Sequence, residues 1–290
     1  MLIPEYQRPT TVAEALSLLA REGARVLAGG TDLVPQVREG RRRASVLIDI
    51  KHIPELKTVA RLADGSWRVG AAVSVSALGR DPVFSAEHSA LLASARLIGS
   101  LQIQSRATLV GNLANAAPSA DAVPLLMALA ARAEVATAKG PRVVDAEDVP
   151  VGPGRTSLSE GELVTALILP PVPPRSAARY LRFTPRREMD IAIAGSGVLL
   201  SLGHDGTIAN ARIRLAAVAP VPLGARKAQA LLCGARPDAR LFEAAAIEAA
   251  REATPISDMR GSADYRRELV KVLTRRALTE CAAALGIAIP

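Results

Sequence analysis

Cysteine and histidine are scarce in this chain of 290 residues. The two cysteines, Cys233 and Cys281, lie far apart in the sequence, so the chain cannot hold an iron–sulfur cluster by itself. We expect both to be buried thiols in a reducing cytosol. The three histidines, His52, His88 and His204, are scattered, which argues against a zinc site. The sequence therefore predicts no metal site on this chain.

Aromatic residues and long apolar runs are also few. Aromatic residues make up 2% of the chain and apolar residues 49%, which indicates a globular protein with a core of Ala, Val, Leu and Ile. No stretch of about 18 apolar residues is free of charges and helix breakers, so we predict no membrane span. The N-terminal residues lack a basic region followed by an apolar run. We therefore expect no secretory signal and a cytoplasmic protein.

The charge balance is strongly basic, with a net charge of +8 and a pI of about 10.2. Such a balance often indicates a nucleic-acid partner. Only five of the 36 basic residues are lysines, however, and an arginine bias of this kind can reflect genome composition. No patch interleaves basic and aromatic residues for base stacking, so we predict no nucleic-acid partner. The positive surface could equally face an acidic partner subunit or an anionic cofactor.

The pattern of apolar residues predicts short helices and strands in the first 170 residues and an α+β arrangement after them. The proline-rich stretch 170–174 is the best candidate for a linker. The stretch 101–121 has no clear period and is predicted to be mostly ordered loop. Strands are predicted at 25–28, 46–50, 67–73, 134–138, 163–169, 178–183, 191–201 and 208–218. Helices are predicted at 11–23, 88–98, 123–131, 224–232, 239–253 and 262–285.

The first candidate site is a strand that leads directly into two glycines and a threonine. Glycine backbones can approach a ligand closely, and successive free N–H groups can bind phosphate oxygens. An ordinary strand-to-loop turn is the alternative. Neither the dinucleotide fingerprint nor the nucleotide P-loop is present. The segment consists of Val26, Leu27, Ala28, Gly29, Gly30, Thr31, Asp32 and Leu33.

Three further segments could carry function. Residues 108–121 form a small-residue loop before a helix, where Asp121 could cap that helix or bind a sugar hydroxyl. Residues 182–192 are either a charged turn or a basic loop that reaches an anion or a partner. Residues 256–267 are interpreted as architecture, with Ser262 capping the last helix and Asp258 and Arg260 as structural partners.

The order of these four segments resembles the flavin-binding subunits of molybdenum hydroxylases, of the xanthine dehydrogenase and carbon-monoxide dehydrogenase type. That family carries Ala-Gly-Gly-Thr/Ser-Asp/Asn-Leu, here residues 28–33, and Arg-Ala-Thr-Ile-Gly-Gly-Asn followed by Ser/Ala-Pro-x-x-Asp, here 106–112 and 117–121. It also carries Arg-Arg-x-Met-Asp-Ile-Ala, here 186–192, and Asp-x-Arg-Gly-Ser-Ala-x-Tyr-Arg-Arg, here 258–267. The resemblance extends over nearly the whole chain, from residue 6 to about residue 285.

The resemblance implies an α+β fold. It consists of a two-subdomain PCMH-type FAD-binding domain, residues 1–57 and 58–170, followed by an α+β C-terminal domain like that of the carbon-monoxide dehydrogenase flavoprotein, residues 175–290. Residues 28–33 and 108–112 would hold the pyrophosphate of FAD, with the glycines in closest approach. Asp121 would lie toward the sugar and ribityl side. The further cofactor-binding positions implied are Ile98, Thr108, Gly111, Asn112, Val164 and Arg182.

The chain departs from the family pattern at two places. Val110 stands where the family has the first of two glycines, and its branched side chain limits how closely that peptide can approach a ligand. Upstream, the family often has Gln-Ile-Arg-Asn, whereas this chain has Gln-Ile-Gln-Ser at 102–105. FAD is still the expected cofactor.

The resemblance implies an electron-transfer role and no catalytic acid or base on this chain. A large partner subunit would hold molybdopterin and the substrate site, and a small partner would hold two iron–sulfur clusters. Electrons would pass from those clusters through FAD to NAD, a quinone or oxygen. By resemblance, the assembly would be a dimer of heterotrimers. The alternatives are a flavin-free assembly subunit and a stand-alone flavin oxidase of the vanillyl-alcohol-oxidase type.

Overall fold

A small parallel sheet opens the chain in the computed structural model, which describes residues 4–187 and 189–289. The strand order is β1-β3-β2. Its elements are β1 (Glu5–Gln7), α1 (Val12–Leu19), β2 (Ala24–Leu27), α2 (Leu33–Arg38) and β3 (Val46–Asp49). Helix α1 begins as the capping pattern predicts, because the Thr11 hydroxyl accepts the N–H of Glu14. Strand β2 ends directly before the glycine pair, which places that pair at the edge of the sheet.

A five-stranded antiparallel sheet follows, in the order β4-β5-β10-β6-β7. The central strand β10 is buried at every position, which explains its continuous apolar sequence. The elements of this part are β4 (Val59–Arg61), β5 (Trp67–Gly70), α3 (Val75–Leu78), α4 (Pro82–Glu87), α5 (Ser89–Ala95), α6 (Leu101–Gln104), α7 (Leu109–Ala114), α8 (Val123–Ala128), β6 (Arg132–Thr137), β7 (Gly140–Asp145), β8 (Pro150–Gly152), β9 (Arg155–Thr156) and β10 (Leu163–Leu169).

The stretch 101–121 contains two short helices, α6 and α7, so the prediction of mostly ordered loop was wrong. Each helix has only about one to two turns, which is too short to show a helical period against a background of small residues. The Thr108 side chain starts α7 by accepting the N–H of Gly111 at 2.8 Å. The segment is therefore ordered by capping and burial.

The C-terminal part has an antiparallel sheet in the order β11-β12-β13-β14. Its helices pack mainly on one face, as predicted for an α+β arrangement. The Ser262 side chain caps the last helix through the N–H of Tyr265. The elements are β11 (Ser176–Phe183), β12 (Ala194–Leu202), β13 (Ile208–Ala216), β14 (Leu223–Gly224), α9 (Arg226–Leu232), α10 (Ala239–Glu252) and α11 (Ala263–Ala284).

The second face of this sheet is covered by α5 and α8 of the preceding part, so β12 is buried at all nine positions. Close packing needs glycine here, since a Cβ on Gly197 would lie 2.9 Å from Cβ of Pro124. A backbone hydrogen bond of 2.7 Å from Ala217 to the Pro118 carbonyl joins the two parts. The C-terminal sheet therefore packs against helices of both parts of the chain.

The two cysteines differ in exposure, so the prediction of two buried thiols was half wrong. Cys281 is buried in α11, and burial raises its pKa to about 12. Cys233 is exposed because it directly follows α9 at the protein surface. Within residues 4–187 and 189–289, no cluster of His, Cys, Asp or Glu could hold a metal ion. None of the helices described there has the length and apolar content to cross a bilayer.

The buried histidine His88 gives a test of this core. It is 2% exposed, its ring lies 4.9 Å from that of Phe84, and neither ring nitrogen has a hydrogen-bond partner among the described residues. Burial lowers its pKa below the usual 6.5, with Glu87 opposing the shift. Below that pH the unfolded chain gains a proton that the folded one does not, so stability falls as pH falls.

We therefore predict that lowering the pH from about 7.5 to about 5.5 reduces the free energy of urea unfolding more in the natural chain than in His88→Leu. The opposite contribution of Asp121, whose pKa is raised by burial, is present in both chains and cancels in this comparison. His204→Gln, at an exposed position, serves as the control and should leave the pH dependence unchanged. An equal pH dependence in His88→Leu and the natural chain would contradict the prediction.

Candidate functional site

A cavity of about 210 Å³ lies where the glycine pair after β2 meets the start of α7. One wall is apolar and the other presents backbone and short polar groups, a combination typical of cofactor sites. The predicted site residues that line it are Val26, Ala28, Gly29, Gly30, Thr31, Asp32, Leu33, Ile98, Thr108, Gly111, Asn112 and Val164.

The two loops that form the cavity touch at Gly29. A Cβ at this position would lie 2.2 Å from the Arg106 carbonyl oxygen, a distance that no side chain tolerates. Gly30 has a φ of +76°, in the left-handed region that favours glycine. The glycine pair is therefore needed first for the packing of one loop on the other, and the cavity exists because of that packing.

The first loop offers free hydrogen-bond donors to the cavity. The backbone N–H groups of Gly30, Thr31 and Asp32 make no hydrogen bond within the described part of the chain. Successive unpaired N–H groups around a left-handed residue form a concave anion site. On the opposite side, the Thr108 oxygen already accepts from Gly111, so its hydroxyl hydrogen is available to donate. The arrangement suits an anion such as a phosphate.

Charged residues that sequence reasoning missed also line the cavity. Arg42 contacts the Gly154 carbonyl at 3.2 Å, and burial lowers its pKa, with Arg25 adding to the effect and Asp32 opposing it. Burial raises the pKa of Asp32. In the sequence, Arg42 is the middle one of three consecutive arginines, 41–43. Nothing in that run indicates which of the three lines a cavity.

Glu162 is a second cavity residue that was not predicted from the sequence. Its carboxylate is paired with the guanidinium of Arg142. The two side chains form a bidentate pair at 2.8 and 2.6 Å, and this hydrogen bonding lowers the pKa of Glu162. Its position directly before β10 and Val164 was the available signal. The other lining residues not predicted are Ile50, Ala107, Ala114, Asn115, Leu158 and Leu163.

Val110, the departure from the family pattern, is only 5% exposed. It belongs to the core cluster of buried residues and also contributes to the cavity wall. The side chain is therefore part of the packed interior where it borders the cavity. The neighbouring N–H of Gly111 is occupied by Thr108.

Three predicted residues do not line this cavity. Leu27 is 9% exposed and its side chain packs beneath Gly30. Asp121 and Arg182 pair with each other at 2.5 Å, and Tyr180 donates a hydrogen bond of 3.1 Å to the same carboxylate. Asp121 therefore does not cap α8, whose first residue has no side-chain cap.

The Asp121 cluster lies where the C-terminal sheet meets the first part of the chain. Burial raises the pKa of Asp121 to about 6, while Arg182 and the hydrogen bond from Tyr180 pull it down. Burial and the nearby Asp121 raise the pKa of Tyr180 well above 10. At neutral pH the cluster is an ionised carboxylate held by a guanidinium and a neutral phenol. Its charge is balanced inside the protein.

Arg266 of the fourth segment is 4% exposed and contacts Ile193, the residue directly after the third segment. Its guanidinium donates to the Ile193 carbonyl at 2.9 Å, to the Ala217 carbonyl at 3.1 Å and to Asp258 at 2.7 Å. The last contact confirms the structural interpretation of Asp258, with Arg266 as its main partner; Arg260 lies 3.9 Å from the same carboxylate group. Residue 188 of the third segment lies outside the described residues.

Comparison with known protein families agrees with this architecture. A family model described as the FAD binding domain in molybdopterin dehydrogenase matches residues 3–172. A model described as the CO dehydrogenase flavoprotein C-terminal domain matches residues 179–281. The chain therefore belongs to the family of FAD-binding flavoprotein components of molybdopterin dehydrogenases. It is an oxidoreductase component, and the predicted family, fold class and FAD cofactor are confirmed.

Individual relatives are similar over almost their full length. The xanthine dehydrogenase FAD-binding subunit of Escherichia coli O157:H7 is 30% identical, with 97% of each chain covered. The carbon monoxide dehydrogenase medium chain of Afipia carboxidovorans is 33% identical, with 94% of this chain and 95% of that one covered. A chain of the carbon monoxide dehydrogenase structure from Hydrogenophaga pseudoflava superimposes with a TM-score of 0.92 at 31% identity, covering 98% and 99%.

The residues present fit FAD. The unpaired N–H groups of residues 30–32 and the Thr108 hydroxyl are donors of the kind that a pyrophosphate needs. The apolar wall of Val26, Ile98 and Val164 offers the flat contacts that an aromatic ring system needs. The basic side chains of Arg25 and Arg42 favour an anion electrostatically.

We predict that Gly29→Ala forces the two loops apart, because the new Cβ would meet the Arg106 carbonyl. Overpacking of this kind costs on the order of 1–3 kcal/mol, and the donors of the two loops lose their common orientation. The free energy of unfolding and the FAD content after purification should both fall. Gly79→Ala is the control, because Gly79 has a φ of −67° and its Cβ would come no closer than 3.3 Å to another atom, the end of the flexible Arg96 side chain. Full FAD content in Gly29→Ala would contradict this role.

We also predict that Asp121→Asn lowers the free energy of unfolding by roughly 3 kcal/mol or more, because it leaves the Arg182 charge buried without a partner. Adding Arg182→Gln should recover part of the loss. Glu280→Gln, which removes an exposed partner of Arg179, is the control and should have no measurable effect. Additive losses in the double variant, measured by urea unfolding, would exclude the pair as the cause.

Proposed function

We propose that this chain is the FAD-carrying electron-transfer subunit of a three-subunit molybdenum hydroxylase. A large partner holds molybdopterin and the substrate site, and a small partner holds two iron–sulfur clusters. Electrons reach FAD on this chain from those clusters and leave to NAD, a quinone or oxygen. The observation that carries the proposal is the cavity between the two loops, which combines unpaired donors with an apolar wall on a chain of this family.

The proposed binding roles follow the chemistry of the lining. The N–H groups of residues 30–32 and the hydroxyls of Thr31 and Thr108 bind the pyrophosphate oxygens. The apolar side chains of Ile98 and Val164 pack against a ring of the cofactor. Asn112 orients the second loop, because its side-chain oxygen accepts the N–H of Ala122 at 3.2 Å. When bound, FAD supplies the capacity to take up and release one or two electrons.

The remaining predicted residues act on the cofactor from outside the cavity. Leu27 supports Gly30 from below, and Asp121 and Arg182 hold the C-terminal sheet against the FAD-binding part. We propose that this pair fixes the cover of the cofactor, with the sugar side nearest Asp121. No side chain of the cavity is placed as a general acid or base, since Glu162 is held by Arg142 and Asp32 lies beside Arg42.

The flavin-free assembly subunit is the second candidate function, and Val110 is the observation that favours it. The burial of Val110 works against this candidate, because the side chain occupies the core. A stand-alone flavin oxidase has less support, because the chain is matched along its length by flavoprotein components of multi-subunit enzymes.

The division into residues 1–57, 58–170 and 175–290 is proposed with this function. Its support is that each segment contains its own sheet and that residues 170–174 lie between β10 and β11. A cytoplasmic location is also proposed, with the free thiols of Cys233 and Cys281 as support.

The decisive experiment is the visible absorption spectrum of the purified chain, followed by release and identification of the chromophore. We expect a flavin spectrum and FAD near one per chain. Val110→Gly should retain FAD while losing stability, because it removes a buried side chain from a helix. A natural chain that is colourless and fails to take up added FAD, beside a Val110→Gly variant that binds it, would support the flavin-free candidate.

A further inference from the structure

Lys51 lies behind the first loop of the cofactor cavity and contacts the backbone of that loop. Its ammonium group donates a hydrogen bond of 2.8 Å to the carbonyl oxygen of Ala28, the residue directly before Gly29. Within residues 4–187 and 189–289, this carbonyl accepts no other hydrogen bond. Ala28 and Gly29 line the cavity, whereas Lys51 does not. Lys51 therefore holds the cavity wall from outside.

A buried carboxylate keeps Lys51 in this position. The side chain of Asp49 is 3% exposed and accepts hydrogen bonds from the ammonium and backbone N–H groups of Lys51 and from the Tyr6 hydroxyl. Burial opposes ionisation of this carboxyl, but the hydrogen bonds from Lys51 and Tyr6 outweigh burial and hold the pKa of Asp49 below its usual value. Asp49 is thus ionised at neutral pH and balances the Lys51 charge. Lys51 consequently acts on the loop through its hydrogen bond more than by attracting anions.

The contact fixes the direction of the peptide between Ala28 and Gly29. In a planar trans peptide the C=O and the N–H point in opposite directions. Because the Ala28 carbonyl is directed at Lys51, the N–H of Gly29 points away from Lys51. This N–H makes no hydrogen bond within the described part of the chain, and it directly precedes the unpaired N–H groups of residues 30–32. Four successive residues of the cavity wall thus carry unpaired donors.

We propose that Lys51 is a positioning residue for the pyrophosphate of FAD and acts through the Ala28 carbonyl. Gly29 has no side chain that restrains rotation of its peptide. Without the Lys51 contact, this peptide can turn and present its carbonyl oxygen, which repels a phosphate, in place of its N–H. Lys51 holds the binding orientation before the ligand arrives and so reduces the ordering cost of binding. The inference rests on the proposed function, because it takes the bound anion to be the pyrophosphate of FAD.

The test titrates the full chain, freed of FAD, with FAD and follows flavin fluorescence. Lys51→Met removes the donor but keeps a side chain of similar length, and it should weaken FAD binding about tenfold, as expected for one misdirected hydrogen bond to a charged group. Lys51→Arg keeps a donor and should bind FAD more tightly than Lys51→Met. Lys57→Met, which removes an exposed lysine, is the matched control and should bind FAD like the natural chain.

A second variant separates positioning from stability. Lys51→Met leaves the buried Asp49 charge with fewer partners, so lower stability is a competing reason for weaker binding. The double variant Asp49→Asn/Lys51→Met removes that charge. We expect it to regain free energy of urea unfolding relative to Lys51→Met while FAD affinity stays low. Recovery of the natural FAD affinity in the double variant would overturn the positioning role.

The phosphorus NMR signals of bound FAD give a readout at the pyrophosphate itself. They should shift in Lys51→Met and in the double variant and stay unchanged in Lys57→Met. Unshifted signals in Lys51→Met, or an FAD affinity equal to that of the natural chain, would overturn this inference and leave the proposed function standing. A natural chain that takes up no FAD would overturn the proposed function and this inference with it.

Discussion

The absence of a side chain at Gly29 is the constraint on which the cofactor cavity depends. The Arg106 carbonyl occupies the space where a Cβ would lie, and this contact fixes the second loop relative to the first. Residues 30–32, whose N–H groups are unpaired among the described residues, and Thr108 then line the same cavity. Ligand binding is thereby preorganised, because the donors are positioned before any anion arrives.

The C-terminal segments support this cavity from a distance. Arg266 joins the carbonyls of Ile193 and Ala217 to Asp258, and the N–H of Ala217 bonds to the Pro118 carbonyl behind the second loop. Segment 256–267 is therefore connected to segment 108–121 through a single residue, Ala217. Loss of Asp258 would leave the buried Arg266 charge without its carboxylate partner, which is strongly unfavourable.

The sequence predicted elements whose signals are local. The caps at Thr11 and Ser262 and the buried strand 163–169 are confirmed, because capping and continuous burial leave direct traces in the sequence. Helices α6 and α7 were missed because they are too short to show a period. The Asp121–Arg182 pair was also missed, since 61 positions separate its members and only the folded sheet brings them together. The first loop was recognisable as a site, but the steric reason for Gly29 depends on a carbonyl 77 positions away in the chain.

Burial of β12 on both faces has a consequence for how such chains can evolve. Its nine residues pack on α11 from one side and on α8 from the other, with Gly197 seated against Pro124. If the C-terminal part were exchanged for that of a homologue, β12 would change while α8, which packs against it, would not. Recombination between relatives should therefore succeed more often within a half, where packing partners are inherited together, than at the boundary between the two.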